Sequence, residues 1–249
     1  MAELVMRVSR KLAGVAMRKN LTLKPSARVV SFTFDDAPRS ACLAGAAILE
    51  RLGARGTFYI AGGLTDKIEE GRPCHSVDDL KALHQAGHEL GCHGFSHQRY
   101  DQSSAKELNA ELDRNARFLQ QFGVNASELN FAYPFGAYSL GAKRVCGPRF
   151  VSSRITGNGL HRGTVDLSML GSYRLYGSTV ADSQWQAALA DTAQGGWLIV
   201  NTHEVADDFG PYGCSPATLQ AMAEQAQARG CEIMTVKAAI AHFRQALEA

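Results

Sequence analysis

Val29-Val30-Ser31-Phe32-Thr33-Phe34-Asp35-Asp36 is an apolar run that ends on two adjacent carboxylates. Val, Phe and Thr favour a pleated strand, so the chain reads as a strand over Val29–Phe34 with both acids at its end. Further along, His93-Gly94-Phe95-Ser96-His97 sets two imidazoles after another short strand, His88–Gly91. One carboxylate and two imidazoles can hold a divalent metal and leave positions open for water. The second carboxylate is then free to act as a base, which points to metal-assisted hydrolysis. Each half alone is weak. An Asp-Asp pair is more often a solvated turn or a helix cap, and His-x-x-x-His is often a surface or core pair. The joint pattern carries the reading.

Strands and helices alternate outward from that stretch. Helices are expected over Ala41–Leu52, from Ser76 to Ala86, from Ser104 to Phe122, and over Leu140–Cys146, Trp185–Thr192, Ser215 to Arg229 and Ala238–Leu247. Ser104-Ala105-Lys106-Glu107 fits a capping box and Pro216 suits a first helical position. Strands are expected over Gly56–Ile60, Leu129–Tyr133, Phe150–Ser153, Tyr173–Tyr176, Trp197–Thr202 and Glu232–Val236. Continuous apolar strands between helices imply a parallel sheet covered by helices. An open sheet and a barrel both fit. The candidate residues follow four different strands, as they do on the C-terminal face of a barrel. Residues 154–172, rich in Gly, Ser, Thr and Arg, read as a long substrate-side loop.

The 249 residues are 45% hydrophobic and 20% charged, which suits a globular chain with a sizeable core. A formal net charge of +2 gives no strong basic field, and no nucleic-acid partner is expected. No uncharged apolar stretch approaches the roughly 18 residues of a span. Charges interrupt every apolar run in residues 1–28, so no secretion-signal core is seen. Cys42, Cys74, Cys92, Cys146, Cys214 and Cys231 lack Cys-x-x-Cys spacing. Reduced, packed thiols in a cytoplasmic protein are the expectation.

Four segments in order resemble the polysaccharide deacetylases, carbohydrate esterase family 4. Thr33-Phe34-Asp35-Asp36 is similar to the first motif. His93-Gly94-Phe95-Ser96-His97 is similar to the second, with Gly94 at a usual hydroxyl position. Phe131-Ala132-Tyr133-Pro134-Phe135-Gly136 is similar to the third and Asn201-Thr202-His203-Glu204 to the last. The resemblance implies an α/β fold, a distorted (β/α)7 barrel in a single domain, with residues 1–27 as a basic helical segment and 28–249 as the catalytic domain. It implies Asp35 as base, Asp36, His93 and His97 as ligands of a divalent metal, zinc by preference, and His203 as acid. The backbone N–H of Phe135 would stabilise the oxyanion, with Tyr133 and Pro134 beside it at the substrate.

The implied reaction removes N-acetyl groups from the amino sugars of a polysaccharide, an oligosaccharide or a lipid-linked precursor. The whole chain resembles the short deacetylases of exopolysaccharide and holdfast biosynthesis. Oligomeric state is left open. Three departures stand out. The third motif commonly carries an Arg that orients the catalytic Asp, and Ala132 stands there; Arg154 is the substitute candidate. Asn201 stands where a Leu usually lines the acetyl pocket. The fourth motif is not apparent, and Asp166 is its stand-in.

Two other classes stay open. The same two His and one Asp could hold the iron of a non-haem oxygenase, but that leaves Asp35 and His203 without a task. A barrel that only binds glycan is the second. His75, His84 and His88 read as surface or strand-end residues, and His161 as a residue of the 154–172 loop, a bland reading placed ahead of substrate contact. Trp185 reads as core; Tyr133 and Tyr138 read as packing ahead of sugar stacking. Residues 3–19 carry Leu4, Val8, Leu12, Val15 and Met17 at near-helical spacing among Arg7, Arg10, Lys11, Arg18 and Lys19. That is either a basic amphipathic helix on an anionic membrane or a helix packed across the barrel with its charges solvated.

Overall fold

Which backbone groups each strand pairs with decides where the acids and imidazoles meet. The computed structural model describes residues 2–69, 71–177 and 183–248. In chain order, α1 is Ala2–Val15, β1 Asn20–Thr22 and β2 Arg28–Asp35. A π-type turn over Ala41–Gly45 runs into α2, Ala46–Arg51. Then follow β3 (Thr57–Ile60), β4 (Ile68–Glu69), β5 (Arg72–Pro73), α3 (Val77–Gln85), β6 (Glu89–Cys92) and α4 (Ala105–Gln120). Next come β7 (Phe131–Ala132), α5 (Leu140–Arg149), β8 (Ser153–Arg154), β9 (Leu160–His161), β10 (Thr164–Asp166) and β11 (Tyr173–Arg174). The chain ends with α6 (Ser183–Thr192), β12 (Gly196–Thr202), α7 (Pro216–Ala228), β13 (Glu232–Ile233) and α8 (Val236–Glu248).

The longest pairing is β12 with β2, parallel from Gly196 opposite Arg28 to Thr202 opposite Phe34. Both strands are buried almost throughout, as continuous apolar strands of a parallel sheet should be. The parallel order runs β12-β2-β3-β6-β7-β8. Residues 170–175 close the ring. Leu170 N donates to Ser153 O and Ile155 N to Leu170 O on one side; Tyr173 and Arg174 pair with Val200 and Asn201 of β12 on the other. Seven staves thus close a distorted (β/α)7 barrel. The distortion shows where β13 pairs with β2 and β9 runs antiparallel along β12.

The helix starts follow the capping chemistry read from the sequence. Ser76 with Asp79, and Ser104 with Glu107, make reciprocal capping boxes. Ser215 accepts from Thr218 N, with Pro216 at the first turn of α7. Trp185 and Trp197 are wholly buried core residues. All six cysteines are free and buried.

Residues 154–172 are not the expected substrate-side loop. They form β9 and β10 and the closing stave, because their backbone groups find partners on β12, β1 and β8. β1 pairs antiparallel with β10, so residues after α1 are part of the packed structure. Asp166, the stand-in for a fourth motif, serves this junction. It accepts from Lys19 N at 2.8 Å and Ser168 N at 3.0 Å, and from the buried Lys143 Nζ at 2.7 Å. With both carboxylate oxygens bonded at that junction, it takes no part in the site.

Candidate metal centre and active site

The site lies at the C-terminal ends of β2, β6, β7 and β12. Asp35 is the last residue of β2, and Asp36 and Ala37 turn sharply away with φ of 61° and 47°. Non-glycine residues adopt left-handed backbone only where the surroundings enforce it. His75 does so here. Its ring is fully buried, and Nδ1 lies 3.1 Å from Asp36 O and 3.2 Å from Ala37 O, with Nε2 3.1 Å from Thr65 Oγ1. Burial holds its pKa below the usual imidazole range, against the pull of those two carbonyls. The expectation of a surface or strand-end His75 is therefore corrected. His88 is likewise buried, between Glu50 Oε1 and Gly56 N, while His84 is exposed.

His93 follows β6. Its Nδ1–H donates to Ala132 O at 2.8 Å, which leaves the Nε2 lone pair facing Asp36 Oδ1 at 3.4 Å. Burial pushes the His93 pKa down to about 3, so the ring is neutral at ordinary pH, the form a metal needs. His97 has φ of 49° and brings Nε2 to 3.0 Å from Asp36 Oδ1. Ligand atoms of Asp36, His93 and His97 all lie within 4.8 Å of one another. A carboxylate, two imidazoles and a carbonyl fixing one tautomer fit a divalent metal.

The segment between the two histidines owes its shape to Gly94. Its φ is 76°, and a Cβ there would stand 2.5 Å from Tyr100 Oη. A hydroxyl residue does not fit against that buried tyrosine, which explains the departure from the usual motif.

Asp35 does not face the triad alone. Arg154 is 1% exposed, and its guanidinium donates to Asp35 Oδ1 at 2.5 Å and to Ser172 Oγ at 2.9 Å, with its carbon 5.2 Å above the Tyr59 ring. Burial works to raise the Asp35 carboxyl, but the charge and hydrogen bond of Arg154 beside it pull the other way, and the net shift is below the usual carboxylate range. The chain continues from Ser172 to Asn201 at 2.8 Å and from Asn201 to Tyr176 Oη at 3.1 Å. Asn201 is fully buried in this relay and does not line the pocket. Its partner Tyr176 lines the cleft instead.

A cleft of about 340 Å³ opens over these groups. His203 lines it after β12, with Nε2 3.8 Å from Asp36 Oδ2, between the rings of Tyr176 and Tyr212. Phe135 stands at the mouth, 56% exposed and stacked on His97 with centroids 4.5 Å apart. Its φ of 59° belongs to a tight turn started by Pro134. Tyr133 and Pro134 are buried and do not reach the cleft. Tyr133 packs edge-on against Phe131 and Tyr100; with Pro134 it shapes the turn that presents Phe135. His161 is also absent from the cleft, its Nε2 bonded to Gly171 O.

Sequence reasoning missed Tyr176, Tyr212 and Arg72 among the lining residues. Arg72 on β5 pairs with Asp208 at 2.8 Å and lies 3.8 Å from Glu204. No local spacing marks these positions, because separate loops bring them together.

The family model described as polysaccharide deacetylase matches residues 22–146, half of the chain. No curated protein sequence matches it. Among solved structures, a peptidoglycan N-acetylglucosamine deacetylase is similar at a TM-score of 0.59 and 16% identity, covering 88% of this chain and 90% of its own. The chitin deacetylase of Colletotrichum lindemuthianum is similar at 0.58 and 13%, covering 88% and 89%. A family 4 acetyl xylan esterase from Clostridium thermocellum, in complex with a cobalt ion, is similar at 0.55 and 17%, covering 86% and 90%. At these identities the likenesses speak for the barrel, while the family model spans the Asp-Asp and His-x-x-x-His segments and the turn at Phe135. On that match the chain belongs to the polysaccharide deacetylases, metal-dependent hydrolases of amide bonds.

Proposed function

We propose that this protein removes N-acetyl groups from amino sugars of a polysaccharide, oligosaccharide or lipid-linked precursor, in exopolysaccharide biosynthesis of the holdfast type. The observation that carries this reading is the Asp35–Arg154 pair beside the Asp36, His93 and His97 triad. Asp36, His93 and His97 would hold a divalent metal, zinc by preference, which would supply polarisation of an amide carbonyl and a more acidic water. Asp35, kept ionised by Arg154, takes the proton of the attacking water. The Phe135 N–H donates to the oxygen on which charge develops. His203 gives a proton to the departing amine. An oxygenase has no use for an ionised carboxylate locked to a buried arginine, so that pair favours hydrolysis. In this reading the protein works in the cytoplasm, with residues 3–19 as its membrane contact.

The test is mass spectrometry of N-acetylglucosamine oligomers after incubation with the zinc-loaded protein, with and without a chelator. Stepwise acetyl loss that the chelator stops is expected. Unchanged oligomers across the panel, together with unchanged lipid-linked N-acetylglucosamine, would contradict the proposal.

A further inference from the structure

A helix on a globular surface normally turns its apolar stripe to the core; α1 does the reverse. At about 100° per residue, Leu4, Val5, Val8, Leu12 and Val15 share one arc of roughly 100°. All five are solvent-exposed, Leu4 and Val5 at 65% and Val15 at 71%. The opposite arc does the docking. Ser9 Oγ accepts from Leu140 N at 2.9 Å, and Lys143 Nζ donates to Ala13 O at 2.8 Å. Arg10 reaches Asp101 Oδ2 at 2.9 Å and Tyr138 O at 3.4 Å. These bonds fix the roll of the helix, so its apolar face cannot turn inward. The sequence alternatives were a membrane helix or a helix packed on the barrel. The structure packs the helix by its small and polar side and leaves the apolar side facing out.

Arg7 and Lys11 edge the apolar arc, and Arg18 follows the helix. All three are exposed and have no carboxylate partner among the described residues. An apolar stripe with a cationic border suits a lipid surface with negative headgroups. A second copy of the chain suits it less. An antiparallel two-fold contact through this face would bring the Arg7 and Lys11 edges of the two copies together. Among the described residues no helix is long and apolar enough to cross a membrane, so the fit is to a helix lying in the interface. We infer that α1 is a docking surface for an anionic bilayer, with Leu4, Val5, Val8, Leu12 and Val15 in the acyl boundary and Arg7, Lys11 and Arg18 on headgroups. Both Arg10 anchors belong to loops that leave the site, Asp101 after His97 and Tyr138 after Phe135. Docking through α1 therefore ties the lipid contact, through Arg10, to the loops that follow His97 and Phe135. This gives the membrane contact of residues 3–19 its face and its lipid class.

The test is flotation of the full chain with phosphatidylcholine vesicles, with and without phosphatidylglycerol. The protein should float only with the anionic lipid, and less as salt rises. Leu4→Gln/Val8→Gln/Leu12→Gln should abolish flotation and leave the circular dichroism unchanged. Arg7→Gln and Lys11→Gln should each weaken binding roughly five-fold. Absence of flotation, or equal flotation of the triple variant, overturns the assignment. So does a concentration-dependent dimer in sedimentation that the triple variant disperses, since a second copy then covers the face. Flotation reads no turnover, so its failure is distinct from failure of the deacetylation proposal.

Discussion

Ala132 and Arg154 are register partners on the adjacent parallel strands β7 and β8. Paired residues on neighbouring strands project to the same face of the sheet. The guanidinium that meets Asp35 therefore enters the barrel one strand over from the motif position that Ala132 fills. The small side chain at 132 leaves room for it, and Ser172, itself bonded to Asn201, accepts a second bond from the guanidinium. Two departures from the family pattern, at Ala132 and at Asn201, are one rearrangement.

Replacing Arg154 tests this directly. Asp35 has a lowered pKa in the folded protein, so its charge is lost only as pH falls through that depressed value. The pair's contribution to stability disappears over the same window. In Arg154→Met the guanidinium no longer offsets burial and the carboxyl titrates higher. The acid limb of the kcat/KM profile should move to higher pH, and unfolding should become easier by about 3–5 kcal/mol, as for other broken buried pairs. An unmoved acid limb would detach Arg154 from the base. Ala132→Arg should restore part of the activity to Arg154→Ala, since its side chain enters the same space.

Gly94→Ser restores the usual family residue at a place where it does not fit. The left-handed backbone costs about 1–2 kcal/mol, and the new Cβ meets Tyr100. Thermal unfolding should begin at least about 2–8 °C lower, with weaker metal retention because His93 and His97 flank the strain. An unchanged melting curve would show that the segment has another way to close.

His203→Ala should slow amide hydrolysis by roughly 10²–10⁴-fold while the metal stays bound, because Asp36, His93 and His97 are untouched. Loss of metal in that variant would reassign His203 to the ligand set.

The strand ends that carry Asp35, Asp36, His93, His97 and His203 were legible because motif residues follow apolar, β-prone runs. Arg154 was legible only as a cation after the next strand; its orientation depends on the register between β7 and β8. Ser172, Asn201 and Tyr176 were not legible as a relay, since Ser172 lies in a segment that reads as a loop and meets the other two only when the ring closes. His75 carried no signal at all, sitting beside a helix cap. The apolar periodicity of α1 was plain, but which face docks depended on the loops and the helix α5 that meet it.

The division of labour between the adjacent carboxylates is the centre of the account, and one paired measurement tests it. Metal content and acetate release from N-acetylglucosamine oligomers should be measured together for Asp35→Asn and Asp36→Asn. Asp35→Asn should retain most of the metal and release no acetate, because an amide cannot accept the proton of water. Asp36→Asn should bind metal weakly. Equal loss of metal in the two variants with similar residual activity would contradict the account.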